Sequence, residues 1–199
     1  MPDPALVTTT LLLSRLHDSR DAQAWAEFDA RFRGVIVATA LRVGLSAQDA
    51  EEAAQETMLC AIRDYQGGKY DRARGRLSSW IVGIAHHRIV DLQRSRRAGV
   101  GRDPEACRAP EEPEIAEAFE RALERHVFER AWSRLREESG LAPSTLAAFE
   151  LTALRGVPAG AAAAACEMSV DQVYVARHRV ARKLQELVAA IDRAYRDGL

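Results

Sequence analysis

Apolar residues recur every three or four positions along the chain, and nowhere does the strict alternation of a half-buried strand take hold. The sequence therefore predicts an all-α protein. A short first helix runs through Leu16, with Thr8, Thr9 and Thr10 as candidate N-caps. After a polar break from Asp18 to Asp21, the positions Trp25, Phe28, Phe32, Val35, Ile36, Ala40 and Val43 mark a long helix from Ala22, which Gly44 ends as a left-handed residue. Ser46, with Asp49 placed as in a capping box, opens a helix to Tyr65 that carries acidic groups near its start, and Gly67 and Gly68 break it.

The next stretch, Asp71 to Arg97, has arginines at its start (Arg72, Arg74, Arg76) and its end (Arg94, Arg96, Arg97). Between them Leu77, Trp80, Ile81, Ile84, Ala85, Ile89, Val90 and Leu92 form an apolar helical stripe. His86 and Gln93 fall toward the other face and His87 at the margin, while Arg88 lies within the stripe and must reach out past its stem. A cationic surface beside an aromatic ring suits a nucleic-acid strand. Solvated arginines on a surface helix fit the same pattern, and this stretch alone does not choose.

Ala98 to Pro113 is rich in Gly and Pro and reads as a flexible linker. A helix follows from Glu114 to Glu138, with Ile115, Phe119, Leu123, Val127, Ala131 and Leu135. Another begins at Pro143, carries Leu146, Phe149, Leu151 and Leu154, and stops at Gly156. A short alanine-rich helix from Pro158 to Cys166, a turn at Glu167 to Ser169, and a last helix capped by Ser169 and Gln172 then give a helix-turn-helix pattern. In that last helix Val170, Val173, Arg177, Val180, Leu184 and Leu187 share a side. Asp171, Val175, His178 and Arg182, flanked by Tyr174 and Arg179, form an outward polar face of the kind that enters a major groove. The predicted organisation is two helical domains, residues 1–97 and 114–199, joined by the linker 98–113.

The net charge of −1 argues against a broadly cationic nucleic-acid binder, but the charges are segregated. Arg72 to Arg102 is strongly basic, Asp103 to Glu124 acidic, and Arg177 to Lys183 basic again, so local DNA binding remains compatible with the total. Cys60, Cys107 and Cys166 are odd in number and show no metal-ligand spacing, as expected of free thiols in a reducing cytoplasm. No signal peptide and no membrane insertion are expected. With no converging carboxylates and His, no Gly-rich phosphate loop and no nucleophile elbow, no catalytic residue, metal or cofactor is expected.

Taken together the segments resemble the bacterial RNA polymerase sigma factors of the extracytoplasmic-function (ECF) type, in the sigma-70 family. The likeness runs from about Leu11 to Val188. Region 2 is matched by Gly44-Leu45-Ser46, Asp49-Ala50-Glu51-Glu52, Gln55-Glu56, Tyr70-Asp71, Gly75, Ser79-Trp80-Ile81, Ile84-Ala85, Asp91 and the closing arginines. Region 4 is matched by Phe149-Glu150-Leu151, Gly156, Met168-Ser169-Val170, Val173-Tyr174, Ala176, Arg179-Val180 and Leu184. The resemblance implies a protein that does no chemistry but lends core RNA polymerase, through its β and β′ subunits, its choice of promoter. Asp49, Glu52, Gln55 and Glu56 would hold the β′ clamp helices; the same acids also suit the helix dipole. Arg72, Arg74, Arg76, Trp80, His87, Arg88, Arg94, Arg96 and Arg97 would act on the melted −10 element, with core packing as the competing role for Trp80. Asp171, Gln172, Tyr174, Val175, His178, Arg179 and Arg182 would read the −35 element. The linker would thread toward the polymerase active-site channel. A separate anti-sigma factor is a possible partner, and none is expected to be fused to the chain.

Three positions depart from the family's habit. His87 stands where Asn is frequent, Ala161 to Ala165 replace Glu and branched apolar residues, and Glu167 takes a turn position often held by Gly. The latter two predict a thin core in the second domain. A helix-turn-helix regulator acting without polymerase binding is the alternative reading. It accounts for the second domain and leaves the region 2 pattern without a role.

Overall fold

The computed structural model describes residues 9–18, 20–100 and 111–196, the side chains of residues 9, 96–100 and 196 excepted. The regular structure of the described residues is helical, without a strand: α1 (Thr9–Leu16), α2 (Ala22–Arg42), α3 (Ala47–Gln66), α4 (Leu77–Val100), α5 (Glu112–Glu138), α6 (Pro143–Phe149), α7 (Ala159–Ala165) and α8 (Val170–Arg196). They form two compact units, one within Met1–His126 and Arg193–Leu199, the other Val127–Asp192. The caps expected at Thr9 and Thr10 lie inside α1, and Thr8 lies outside the described residues.

In the first unit the chain is fixed at each helix end by its own side chains. Asp21 caps α2, its Oδ1 accepting from the Ala24 amide at 2.9 Å, and both its oxygens accept from Arg15 at 2.8 Å. The polar break of the sequence is thus a clamp between α1 and α2. At the other end Gly44 has φ +92°, the Leu45 amide reaches the Ala40 carbonyl at 3.0 Å and the Gly44 amide reaches Leu41 at 3.1 Å. That pair of bonds is a Schellman motif. Ser46 Oγ accepts from the Asp49 amide at 3.2 Å and donates to Asp49 Oδ2 at 2.8 Å.

Leu12, Phe28, Phe32, Ile36, Met58, Leu77, Ile81 and Ile89 build the core of this unit, joined by Ile115, Phe119 and Leu123 from the first half of α5. Inside α2, Arg31 is fully buried and pairs with Glu27 at 3.2 Å. α4 continues to Val100 and α5 opens at Glu112, so helix extends into both ends of the segment 98–113; residues 101–110, with Cys107, lie outside the described residues.

The second unit has small side chains at its centre. Ala148, Ala162, Ala163, Val173 and Ala176 are buried together, with Leu151, Val157, Cys166 and Met168 packed around them. Trp132 and Phe149 add a ring contact at 5.4 Å between centroids. The helix expected to run from Pro143 to Gly156 changes its winding at Glu150 and becomes a π turn over Glu150–Leu154, with the Arg155 amide bonded to the Glu150 carbonyl at 3.0 Å. The extra residue in that turn rotates the stripe, and Leu154 is 43% exposed.

The turn between α7 and α8 carries Glu167 at φ +54°, the left-handed region that favours glycine. Ser169 and Gln172 cap α8 reciprocally: the Gln172 amide donates to Ser169 Oγ at 3.1 Å and the Ser169 amide to Gln172 Oε1 at 2.7 Å. The buried side of α8 is Val173, Ala176, Val180 and Leu184. Val170, expected on that side, is 42% exposed, because the first helical residue precedes the turn that meets the core.

Candidate nucleic-acid and polymerase interface

Between α3 and α4 the chain turns through a short 3₁₀ segment, Arg72–Arg74, capped by Asp71 Oδ1 on the Ala73 amide at 2.9 Å. Tyr70 pins this loop by donating its hydroxyl to the Gly75 carbonyl at 3.1 Å. Its ring lies 5.2 Å from that of Trp80, tilted by 49°. The two rings, with Lys69, Asp71, Arg74, Gly75, Arg76 and Ser79, line a hollow of about 310 Å³. Burial raises the Tyr70 phenol above its usual range, so the hydroxyl stays protonated and remains a donor at neutral pH.

This hollow can take one flat aromatic group against tyrosine and tryptophan, with cations on its rim for phosphate. Trp80 is half-buried, against the Tyr70 ring, and gives one side to the hollow. Of the residues expected to act on melted DNA, Arg74, Arg76 and Trp80 meet here, and Arg72 lines an adjoining hollow of about 270 Å³. Lys69, Tyr70 and Ser79 complete the wall and were not among the expected binding residues, although Tyr70 and Ser79 carry part of the region 2 likeness.

His87, Arg88 and Arg94 stand further along α4, Arg94 roughly 21 Å from Trp80 along the axis. His87 is exposed, with Nδ1 at 2.7 Å from the Gly83 carbonyl. A carbonyl only accepts, so Nδ1 carries a proton and Nε2 of the neutral ring is left as an acceptor. Arg88 does not simply reach outward. Its Nη2 lies 3.3 Å from Cys60 Sγ and its Nη1 3.8 Å from Asp91, while Nε is buried without a partner. Gln93, expected toward the polar face, donates to the Val43 carbonyl at the end of α2 at 3.1 Å. Arg94 is exposed; the side chains of Arg96 and Arg97 lie outside the described residues.

On α3, Glu52, Gln55 and Glu56 are exposed together, and Asp49 is half-buried and held by Ser46. Leu59 extends the same face at 54% exposure, an apolar position that the acidic pattern around it concealed. On α8, Asp171, Tyr174, Val175, His178, Arg179 and Arg182 all stand exposed, with Val175 at 61%. Gln172 is exposed too, but its oxygen is taken up by the cap. Among the described residues there is no cluster able to hold a metal ion and no helix long and apolar enough to cross a membrane.

The chain thus carries a cationic aromatic hollow in one unit and a capped helix pair, α7 and α8, in the other. The family model for sigma-70 region 2 matches residues 28–99, from within α2 through α3 and the hollow into α4. The chain is similar to the ECF RNA polymerase sigma factor RpoE of Cereibacter sphaeroides, 28% identical over 81% of this chain and 91% of that protein. It is also similar to the ECF RNA polymerase sigma factor SigK of Mycolicibacterium vanbaalenii, 35% identical over 49% of this chain and 50% of that one. Residues 28–99 thus match sigma-70 region 2, and the chain is similar to RNA polymerase sigma factors of the ECF group.

Proposed function

We propose that this protein binds core RNA polymerase through the exposed α3 face of Glu52, Gln55 and Glu56, with Asp49 at its start, and directs initiation at promoters read by its two domains. The residues 1–97 domain captures the melted non-template strand of the −10 element. One unstacked base enters the Tyr70–Trp80 hollow, with Arg74 and Arg76 on phosphate. His87, Arg88, Arg94, Arg96 and Arg97 follow the duplex and strand beyond it. The 114–199 domain lays α8 in the major groove of the −35 element. There His178, Arg179 and Arg182 offer donors, Asp171 an acceptor, and Val175 an apolar contact for a thymine methyl. The segment 98–113 threads toward the polymerase active-site channel. A separate anti-sigma factor covering the α3 face and the cationic loop would hold the protein inactive, and the site of action is the cytoplasm, where the polymerase works.

The observation that carries this reading is the hollow itself: two aromatic walls, a cationic rim and a volume suited to one base. The test is a pull-down and run-off assay with sigma-free core polymerase on a library of genomic fragments. Binding to core and initiation at a subset of fragments is the expected result, and the selected sequences give the −10 and −35 preferences. Binding to DNA without binding to core would replace this reading with that of a helix-turn-helix regulator.

A further inference from the structure

Arg74 and Arg76 precede Ser79 by five and three residues. Ser79 is exposed in the first turn of α4, while its neighbour Ser78 is only 5% exposed. A serine/threonine kinase with carboxylates in its substrate groove would recognise such a hydroxyl, each guanidinium meeting a carboxylate in a forked pair. The same spacing occurs once more, at Ser139 after Arg134 and Arg136, and there the surroundings oppose it. Glu137 and Glu138 stand directly before that serine and would repel an acidic groove. Arg134 is held by Glu138 at 2.9 Å, and Ser139 is half-buried with its Oγ accepting from the Leu141 amide at 3.3 Å.

The surroundings of Ser79 also suit a phosphorylated product. The first turn of a helix favours a negative group, because the backbone dipoles point their positive ends there. Lys69, Arg74 and Arg76 line the same hollow as Ser79. Asp71, the one carboxylate in that lining, has Oδ1 engaged by the Ala73 amide at 2.9 Å, so three cations face one acid. A phosphoserine carries roughly −1.5 to −2 charges at neutral pH. At this position it takes up the cations that a nucleic-acid phosphate needs and repels the strand itself.

We propose that Ser79 is a phosphorylation site for an arginine-directed serine/threonine kinase, and that its phosphate closes the Tyr70–Trp80 hollow to the promoter strand. The closing effect rests on the strand-capture reading of that hollow. In the transfer, Ser79 Oγ bonds to the γ-phosphorus of ATP as the bond from that phosphorus to the β,γ-bridging oxygen breaks. ADP leaves, and the hydroxyl proton passes to the base of the kinase.

The full chain is incubated with ATP and the catalytic domain of an arginine-directed serine/threonine kinase, and the product is mapped by peptide mass spectrometry. Phosphate is expected on Ser79 and not on Ser139, at a rate that falls about 10- to 100-fold in Arg76→Ala, the loss of one charge-assisted pair. Absence of phosphate from Ser79, equal phosphate on Ser139, or a rate indifferent to Arg76 overturns the proposal. The phosphorylated protein is then joined to core polymerase and titrated with a forked promoter carrying 2-aminopurine in its non-template strand. Fork binding should weaken by about 10- to 100-fold, from like charge set against the strand, and return on phosphatase treatment. Core association should match that of the unmodified protein. Unchanged fork binding overturns the closing role, and so does a loss of core association, since the phosphate would then act beyond the hollow. Failure of the unmodified holoenzyme to engage the fork overturns strand capture and the closing role with it, whereas the mapping of Ser79 is read independently of both.

Discussion

The ring of Tyr70 leans on that of Trp80 at 5.2 Å while its hydroxyl holds the Gly75 carbonyl at 3.1 Å. One tyrosine thus joins the loop to the helix and shapes the hollow between them. Trp80→Ala should lower run-off transcription by about 5- to 100-fold, as expected for a lost base–aromatic stack. Trp80→Phe, which keeps an aromatic wall, should restore part of the activity. Equal loss in both variants, with retained thermal stability, would speak against stacking.

Arg94, Arg96 and Arg97 are expected to contact phosphate. Replacing all three by Gln should weaken promoter binding by the holoenzyme and reduce the slope of log K against log salt by about 1 per cation removed. Core association measured in the same preparation should be unchanged. Loss of core association instead would reassign these arginines.

Arg31 has no exposed surface and Glu27, its partner at 3.2 Å, is 8% exposed. Glu27→Ala leaves a buried cation without that partner. Urea unfolding should show a loss of about 3–5 kcal/mol. The double replacement Glu27→Leu with Arg31→Met should recover much of it, since a buried pair often does no better than apolar side chains of similar size.

Hydrogen bonds from Arg15, then from the Ala24 amide, lower the Asp21 carboxyl below its ordinary value of 3.8. A carboxylate whose folded value is lowered stabilises the fold above its unfolded value, and that contribution disappears as pH falls through the folded value. Acid titration of stability should therefore show a loss beginning near pH 4 and continuing below it. Asp21→Asn should be less stable at neutral pH and lack that part of the dependence.

At Glu167 the backbone is left-handed, with φ +54°. Glu167→Gly should relieve strain on the order of 1 kcal/mol, partly offset by the greater freedom of glycine in the unfolded chain. A rise in the unfolding midpoint is expected. A fall would mean that the Glu167 side chain contributes something its exposed position does not suggest.

Much of the architecture is legible in the sequence. The three-and-four spacing of Phe28, Phe32, Val35 and Ile36 located α2, and Gly44 and Ser46 marked the break after it, because a left-handed terminator and an N-cap have chemistry visible in single residues. The Ser169–Gln172 box and the exposed face of α8 were read for the same reason. Arg88 and Gln93 were misread in part: a helical wheel gives direction but not what stands opposite, and Cys60 and the Val43 carbonyl come from other helices. The π turn at Glu150 carries no signal in the apolar spacing of Leu146, Phe149 and Leu151, which suits an uninterrupted α-helix.

The sequence by itself determined the helices, their caps, the segregation of charge and, through its motifs, the likeness to sigma factors. Those are properties of neighbours along the chain, set by backbone preference and periodicity. Only the tertiary structure decided that Tyr70 and Trp80 form one wall, that His17 and Tyr65 extend it, and that Leu59 stands open among acids. Such relations depend on which helix ends meet in space, and residues 17, 65, 70 and 80 become neighbours only when burial of the α2, α3 and α4 stripes brings those ends together.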